Sequence, residues 1–443
     1  MEIKDVYLID HIRTPFCYSN AENPSKDALS KSWGIELAAK TLKELFEKRL
    51  PNKGSTLKKE NVDEILSGCS VPLHENSTFG GRYPLFMAEF PVDVPAIMFD
   101  RNWGSGMTAI HVAFTNVTLG YSNVVVALGY DHMTRVPMYS PNSKVKVYGD
   151  PPNKLIFDLE SKWYSDDIYD WKTSWSMIQT AQKLSEKEAD NYSKEDMDKL
   201  GTRSHNLAEK TLENGDFKEE ILPLLGHKVG EVESEIIIES DNSIQTSNTL
   251  EKTKKQPSLS TPGWAGGYTN PLLSKEEYIT KFGTEKGVIT AGNSAPLSDG
   301  ASTCLIMSNE AMEKYNLKPM AKIVSIGYAS IDPTIIGQSA VPAIRMALKQ
   351  AGLKLEDIKY WEIDEVFCIE ALYVANQLGI DWENQMNIHG GATAIGNPPA
   401  ATGPRITANL AKILKEKKAK YGIAAMSCGG GQGTAILLEN IDI

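Results

Sequence analysis

The run Ser427-Cys428-Gly429-Gly430-Gly431 sets a thiol ahead of three glycines. A cysteine in that setting can meet backbone N–H groups that lower its pKa and steady a developing oxyanion; the plainer role is a small apolar filler. Asp364 and Glu365 follow Trp361 and precede Val366-Phe367-Cys368. A carboxylate at such a strand edge can serve as a base, or as a helix cap or surface pair. His132 beside Asp131 and His389 beside Gly390-Gly391 are candidate acids or bases, each equally readable as a structural imidazole. In "FDRNWGSGMTAI" at 99–110, apolar residues lead into a turn of small residues and an apolar helical pattern follows. That is the setting of a nucleophile turn, yet its turn residue is Trp103, whose indole has no useful acyl-accepting atom.

Other chemistries find less support. The glycine turns at 103–106, 292–300, 390–403 and 428–433 lack both the lysine of a phosphate loop and the spaced glycines of a dinucleotide loop. The seven histidines, at 11, 74, 111, 132, 205, 227 and 389, form no His-x-x-His or His-Glu-x-x-His pattern. The five cysteines, at 17, 69, 304, 368 and 428, form no Cys-x-x-Cys pair, so no metal site is expected and the thiols read as reduced.

The elements that must position these residues alternate. Val6 to Ile9 reads as a buried strand ended by Arg13-Thr14-Pro15. Ile35, Ala38, Ala39, Leu42, Leu45 and Phe46 recur at helical spacing. Strand runs at 96–99 and 124–128 flank a helical pattern over 106–117, the order of a layered α/β domain. Between about 134 and 285 the pattern changes: Asp, Ser, Lys, Trp and Tyr crowd 148–175, 185–214 reads as one or two polar-faced helices, and 230–285 is polar and rich in turn signals. This stretch reads as an elaborated lid or loop domain. Regular character returns at Val288, with strands expected at 303–307, 323–326, 423–426 and 434–438 and a helical face at Ala340, Ala343, Ala347 and Leu348.

The chain has 443 residues, enough for a complete enzyme of two or three units, and a formal charge of −11. That acidity argues against a nucleic-acid footprint or a membrane surface held by basic residues. No run approaches the roughly 18 apolar residues that span a bilayer, and the start lacks a signal-peptide pattern, so a cytoplasmic location is expected.

Taken in order, the motifs resemble the thiolase family over nearly the whole chain. They are "DHIRTPF" at 10–16, "FGGRY" at 79–83, "ALGYDHMTRVP" at 127–137, the helical stretch at 193–224, "GVITAGNSAPLSDGAS" at 287–302, "WEIDEVFCIEAL" at 361–372, "NIHGGATAIGNPPAATGPR" at 387–405 and "SCGGGQG" at 427–433. The resemblance implies a duplicated five-layer α-β-α-β-α core with an inserted loop domain. It divides the chain into halves at 1–133 and 286–443, with the loop domain and its return to the core at 134–285. It implies a homodimer or homotetramer, no tightly bound cofactor, and coenzyme A or an acyl-CoA as substrate or ligand. Family members make or cleave the carbon–carbon bond of a 3-oxoacyl-CoA through an acyl-thioester on one cysteine, while a second cysteine exchanges a proton.

Several positions depart from the family pattern. Trp103 stands at the nucleophile position, Asn397 where the Gly-His-Pro turn has histidine, and Asp364 where an asparagine is usual. Cys428 matches the second cysteine. Ala295, with Ser294 beside it, falls where a CoA-contacting serine is usual. An atypical member is therefore expected, one that acts on or binds acyl-CoA or 3-oxoacyl-CoA without the standard cysteine nucleophile. Its catalytic candidates are Cys428, Asp364, Asn397 and His132. The alternatives are a non-catalytic subunit supporting an active thiolase or a small acyl-binding protein, and carbon–carbon hydrolysis of a 1,3-dicarbonyl compound.

Overall fold

The computed structural model describes residues 3–77, 79–136, 170–174 and 176–443. Apart from 170–174, nearly all of the stretch read at 148–175 lies outside the described residues.

The first half contributes β1 (Val6–Arg13), the short β2 (Cys17–Tyr18), β3 (Glu64–Gly68), β4 (Ala96–Phe99) and β5 (Val124–Asp131). Next come β6 (Leu224–Lys228) and β7 (Glu231–Ile238), then β8 (Ser298–Ser308), β9 (Ala321–Ser330), β10 (Ile358–Ile363), β11 (Tyr421–Cys428) and β12 (Gln432–Glu439). The main sheet runs β10-β11-β12-β9-β1-β8-β5-β3-β4, with β2 added against β8.

The pairing reveals a duplication. From β1, the neighbours β8 and β5 follow antiparallel and β3 parallel. From β9, the neighbours β12 and β11 follow antiparallel and β10 parallel. Among the described residues the strands of the two halves pair where Val6–Leu8 meets Ala321–Ile323. Helix Gly34–Glu44 covers β8 and β5 on one side, and helix Ala340–Ala351 covers β9 and β12 on the other. Between the halves lie helices Ser105–Thr118 and Pro399–Glu416, which touch each other and strands of both halves. This is the duplicated five-layer α/β fold with a mixed sheet that the motifs led one to expect.

The middle helix pair is packed to backbone contact. A Cβ added at Gly106 or at Gly129 would lie 2.0 Å from the Ala400 carbonyl oxygen, and one at Gly403 would lie 2.7 Å from the Met107 nitrogen. Trp103, in the turn that enters helix Ser105–Thr118, is 4% exposed and shares the main apolar core with Met107 and Cys428.

The polar stretch after Gly230 is more regular than its composition suggests. β6 and β7 form an antiparallel hairpin, and along β7 exposed and half-buried residues alternate in "EVESEIII". One-sided burial hides a strand among charges when only composition is read. The hairpin region is anchored to β1 through Arg13, which is fully buried. Its Nε donates to Glu220 Oε1 at 2.7 Å and its two terminal nitrogens grip Asp241 at 2.6 and 2.9 Å. Among the described residues no helix is long and apolar enough to cross a membrane.

Two consequences can be measured by urea denaturation. Gly106→Ala is expected to cost about 3 kcal/mol, because the new methyl meets a backbone carbonyl rather than a side chain that can move; an unchanged midpoint would contradict the close approach. Trp103→Ala should cost about 3–5 kcal/mol by leaving a cavity in the core, and a loss below about 1 kcal/mol would show that the indole is not a packing residue.

Candidate active site

Strand pairing brings the thiol and the carboxylate together. β11 ends at Cys428, and just past β10 the Asp364 N–H donates to the Ala425 carbonyl at 3.0 Å. Asp364 and Cys428 therefore stand at the same end of neighbouring parallel strands. The Cys428 sulfur lies against the turn that carries Trp103: a Cβ on Gly104 would be 2.4 Å from Sγ. Glycine at 104 is what lets the nucleophile-like turn reach the thiol.

Burial pushes the Cys428 thiol up to about 12, against the opposing pull of the Thr434 hydroxyl, the Arg101 charge and the Gly104 N–H. Sγ and Thr434 Oγ1 are 3.9 Å apart. The resting group is thus a neutral thiol, and its ionisation requires a base.

Asp364 is buried beside Asn397, whose Nδ2 donates to its Oδ1 at 3.1 Å and to Oδ2 at 3.4 Å. Burial pushes its carboxyl up to about 7, offset in part by the Arg405 charge and the Asn397 hydrogen bond. Asn397 is held in turn: its Oδ1 accepts from Thr402 Oγ1 at 2.7 Å, and its backbone N–H donates to Ser298 Oγ at 3.1 Å. Its carboxylate neighbour Glu365 has a different task. It accepts from Ser204 Oγ and from Asn387 Nδ2, each at 2.7 Å, and so ties helix Lys194–Asn214 to the segment after β10.

The segment with Ser294 and Ala295 runs alongside. Ser294 bridges to Phe367, the Ala295 N–H donates to the Val366 carbonyl at 2.9 Å, and Leu297 bridges to Asn397. The Ser294 hydroxyl is buried and makes no hydrogen bond among the described residues.

Cys428, Asp364, Asn397, Ser294 and Ala295 are thus gathered around connected segments, with Trp103 one residue from the glycine that touches the sulfur. His132 has other partners. Its Nε2 lies 3.2 Å from the Leu29 carbonyl and its ring faces Asp27 and Asp299, while Asp131 turns to Ser70 and the Ala400 N–H. Consecutive strand residues point to opposite faces, so the Asp-His dipeptide makes no dyad. His389 is also committed elsewhere, to Asn409 and Glu416 of helix Pro399–Glu416. Sequence reasoning missed the three hydroxyls that back the polar groups, Ser298, Thr402 and Thr434, and no local pattern distinguishes them from other serines and threonines. A neutral thiol, a carboxyl that titrates near neutrality and a fixed amide form a set able to transfer an acyl group to sulfur.

Models of the thiolase N-terminal and C-terminal domains match residues 6–265 and 317–440. The 3-ketoacyl-CoA thiolase of Marinobacter nauticus is 32% identical over 99% of both chains, and that of Bacillus subtilis 29% over 99% of this chain and 100% of its own. Among solved structures, human mitochondrial 3-ketoacyl-CoA thiolase superposes with a TM-score of 0.79 at 26% identity, covering 99% of each chain. Bacillus anthracis acetyl-CoA acetyltransferase gives 0.77 at 27%, again over 99% of each.

These likenesses overturn the expectation of a protein without a nucleophile, along with the non-catalytic-subunit and dicarbonyl-hydrolase alternatives. Proteins named as thiolases align along essentially the full chain, and all five cysteines are buried free thiols, Cys428 among them beside the polar pair. Trp103 is a packed residue of the turn, next to the glycine that meets the Cys428 sulfur. The chain belongs to the thiolase family.

Proposed function

We propose that this protein is a catalytic thiolase that cleaves or forms the carbon–carbon bond of a 3-oxoacyl-CoA, with Cys428, which matches the family's proton-exchanging cysteine, taking the acyl group in place of the residue at 103. The observation that carries this reading is the match along 99% of the chain to proteins named 3-ketoacyl-CoA thiolase. The grouping of Cys428, Asp364 and Asn397 supports it at the level of side chains.

In the thiolytic direction Asp364 takes the Cys428 proton as sulfur attacks the 3-oxo carbon. The C2–C3 bond then breaks, its electron pair passes to the departing acetyl-CoA enolate, and the proton held by Asp364 goes to that carbon. The thiol of a second coenzyme A attacks the thioester, takes the acyl group and returns a proton to the Cys428 sulfur. The Gly104 N–H, which donates to the Arg101 carbonyl at 3.1 Å, also bears on the sulfur and favours its negative charge, Asn397 holds the Asp364 carboxyl in place, and Trp103 packs on the apolar side. Ser294 and the backbone at Ala295 are the contacts assigned to the coenzyme A arm. A homodimeric or homotetrameric assembly belongs to the same reading.

Incubation with a 3-oxoacyl-CoA without free coenzyme A, followed by peptide mass spectrometry, should place an acyl group on Cys428. Cys428→Ser should lower kcat by a factor of about 10³ or more, since an unactivated hydroxyl replaces the thiol; unchanged turnover in that variant would sink the assignment.

The role of Asp364 has its own signature. Its folded carboxyl titrates near 7, above the ordinary value of about 3.9. The folded chain therefore holds a proton there that the unfolded chain has lost, so the contribution to stability is full below about pH 4 and fades as pH rises through about 7. The acylation rate should rise over the same upper range as the base ionises. Asp364→Asn should abolish that limb and slow acylation by a factor of about 10²–10⁴, and a pH–rate profile keeping a limb near 7 would assign the base elsewhere.

A further inference from the structure

Away from the thiol site, three groups from distant parts of the chain converge in the interior. Asp27 precedes helix Gly34–Glu44, His132 follows β5 and Asp299 lies near the start of β8, and all three side chains are fully buried. One ligand-type atom from each lies within 4.8 Å of the others. His132 Nδ1 is 3.5 Å from Asp299 Oδ1, and His132 Nε2 is 3.8 Å from Asp27 Oδ2.

Hydrogen bonding leaves part of this cluster open. Asp27 Oδ1 accepts from the Leu29 N–H at 2.9 Å, while among the described residues no N–H or hydroxyl donates to Asp27 Oδ2; the Asp27 and Asp299 carboxyls instead meet each other, a contact that needs a proton or a cation between them. Asp299 accepts from the Met133 and Thr134 N–H groups and from Thr134 Oγ1. The Leu29 carbonyl at Nε2 selects the tautomer with its proton on that nitrogen, which leaves a lone pair on Nδ1, and Nδ1 makes no hydrogen bond among the described residues. The ring lone pair on Nδ1 therefore faces Asp299, and Asp27 lies nearer the other edge of the ring, with one ligand-type atom of each of the three within 4.8 Å of the others. Among the described residues neither carboxylate has a lysine or arginine within ion-pair distance. Such an arrangement is costly unless a proton or a metal cation sits among the acceptors.

We propose that Asp27, His132 and Asp299 form a binding site for a divalent metal ion of the zinc class, separate from the acyl-transfer site. Zinc–nitrogen and zinc–oxygen bonds of about 2.0–2.2 Å in a tetrahedral shell set ligand atoms about 3.3–3.6 Å apart, which the Nδ1–Asp299 separation matches. The donor set, one imidazole with two carboxylates, suits zinc better than calcium or magnesium, which favour oxygen ligands alone. With every ligand buried, the ion would enter during folding and its role would be structural. It would clamp the segment before helix Gly34–Glu44, the end of β5 and the start of β8. Asp299 adjoins Ser298, whose hydroxyl accepts from the Asn397 backbone, so the clamp would also steady the catalytic turn. No sequence motif announces the site, because its ligands are 105 and 167 positions apart along the chain.

The test uses the full chain, purified without a polyhistidine tag, unfolded in denaturant with chelator and refolded with zinc chloride alone. After gel filtration, elemental mass spectrometry should find about one zinc per folded chain and a higher Tm than for chain refolded with chelator. His132→Asn and Asp27→Asn, each close in size to the original, should each bring the zinc content close to zero. Folded wild-type chain that retains no zinc would overturn the proposal and leave a proton shared by the carboxylates as the neutralising charge. Zinc content unchanged in both variants would overturn it as well, by placing the metal elsewhere. If one variant fails to fold, the wild-type stoichiometry and the other variant decide the matter.

Discussion

The structure turns on one contact, the Ala400 carbonyl seated between Gly106 and Gly129. A side chain at either glycine would put a carbon 2.0 Å from that oxygen, so the approach exists only because both positions lack a Cβ. Through it, the helix after the Asn397 turn is pressed against the helix after the Trp103 turn and against β5. The two halves of the duplicated fold then present their loops to one another at a separation that side chains cannot loosen. Gly104 and Gly403 extend the same logic, the first toward the Cys428 sulfur and the second toward Met107. An active site shared between halves needs such rigidity, since a displacement of about 1 Å is enough to spoil the alignment of reacting groups.

Burial then sets the chemistry. The thiol and the carboxyl are both driven toward their neutral forms, Cys428 to about 12 and Asp364 to about 7. Only the carboxyl is left close enough to neutrality to exchange a proton easily. Their supports are polar but modest: one amide, three hydroxyls and a peptide N–H. The same burial elsewhere gives a different outcome. Arg13 compensates Glu220 and Asp241 by charge and anchors the hairpin region, whereas Asp27, His132 and Asp299 hold no such compensation among themselves.

Much of this is legible in the sequence. Strands at Val6, Ala96, Val124, Ile323, Ile423 and Thr434 lie where apolar runs marked them, though several are longer than the runs. The helix from Ser105 follows from small residues leading into an apolar pattern. Ordered motifs pointed to the family, and they singled out Cys428, Asp364 and Asn397, which the fold brings to adjoining segments. The β6–β7 hairpin was hidden because one of its strands keeps charged residues on its open side. The departure at Trp103 points, in sequence alone, to a member without the standard cysteine nucleophile, because a sequence shows which residue fills a position but not which thiol stands beside the turn.

The sequence by itself determined the alternation of strands and helices, the family, and the residue types offered to the candidate site, since these follow from local periodicity and from short motifs in order. Only the tertiary structure decided which side chains meet. It separated Asp364 from Glu365 and Asp131 from His132, because neighbours on an extended chain point in opposite directions. It joined His132 to Asp27 and Asp299, and Gly104 to Cys428, because contacts between remote segments depend on how the layers pack, and no local pattern records that packing.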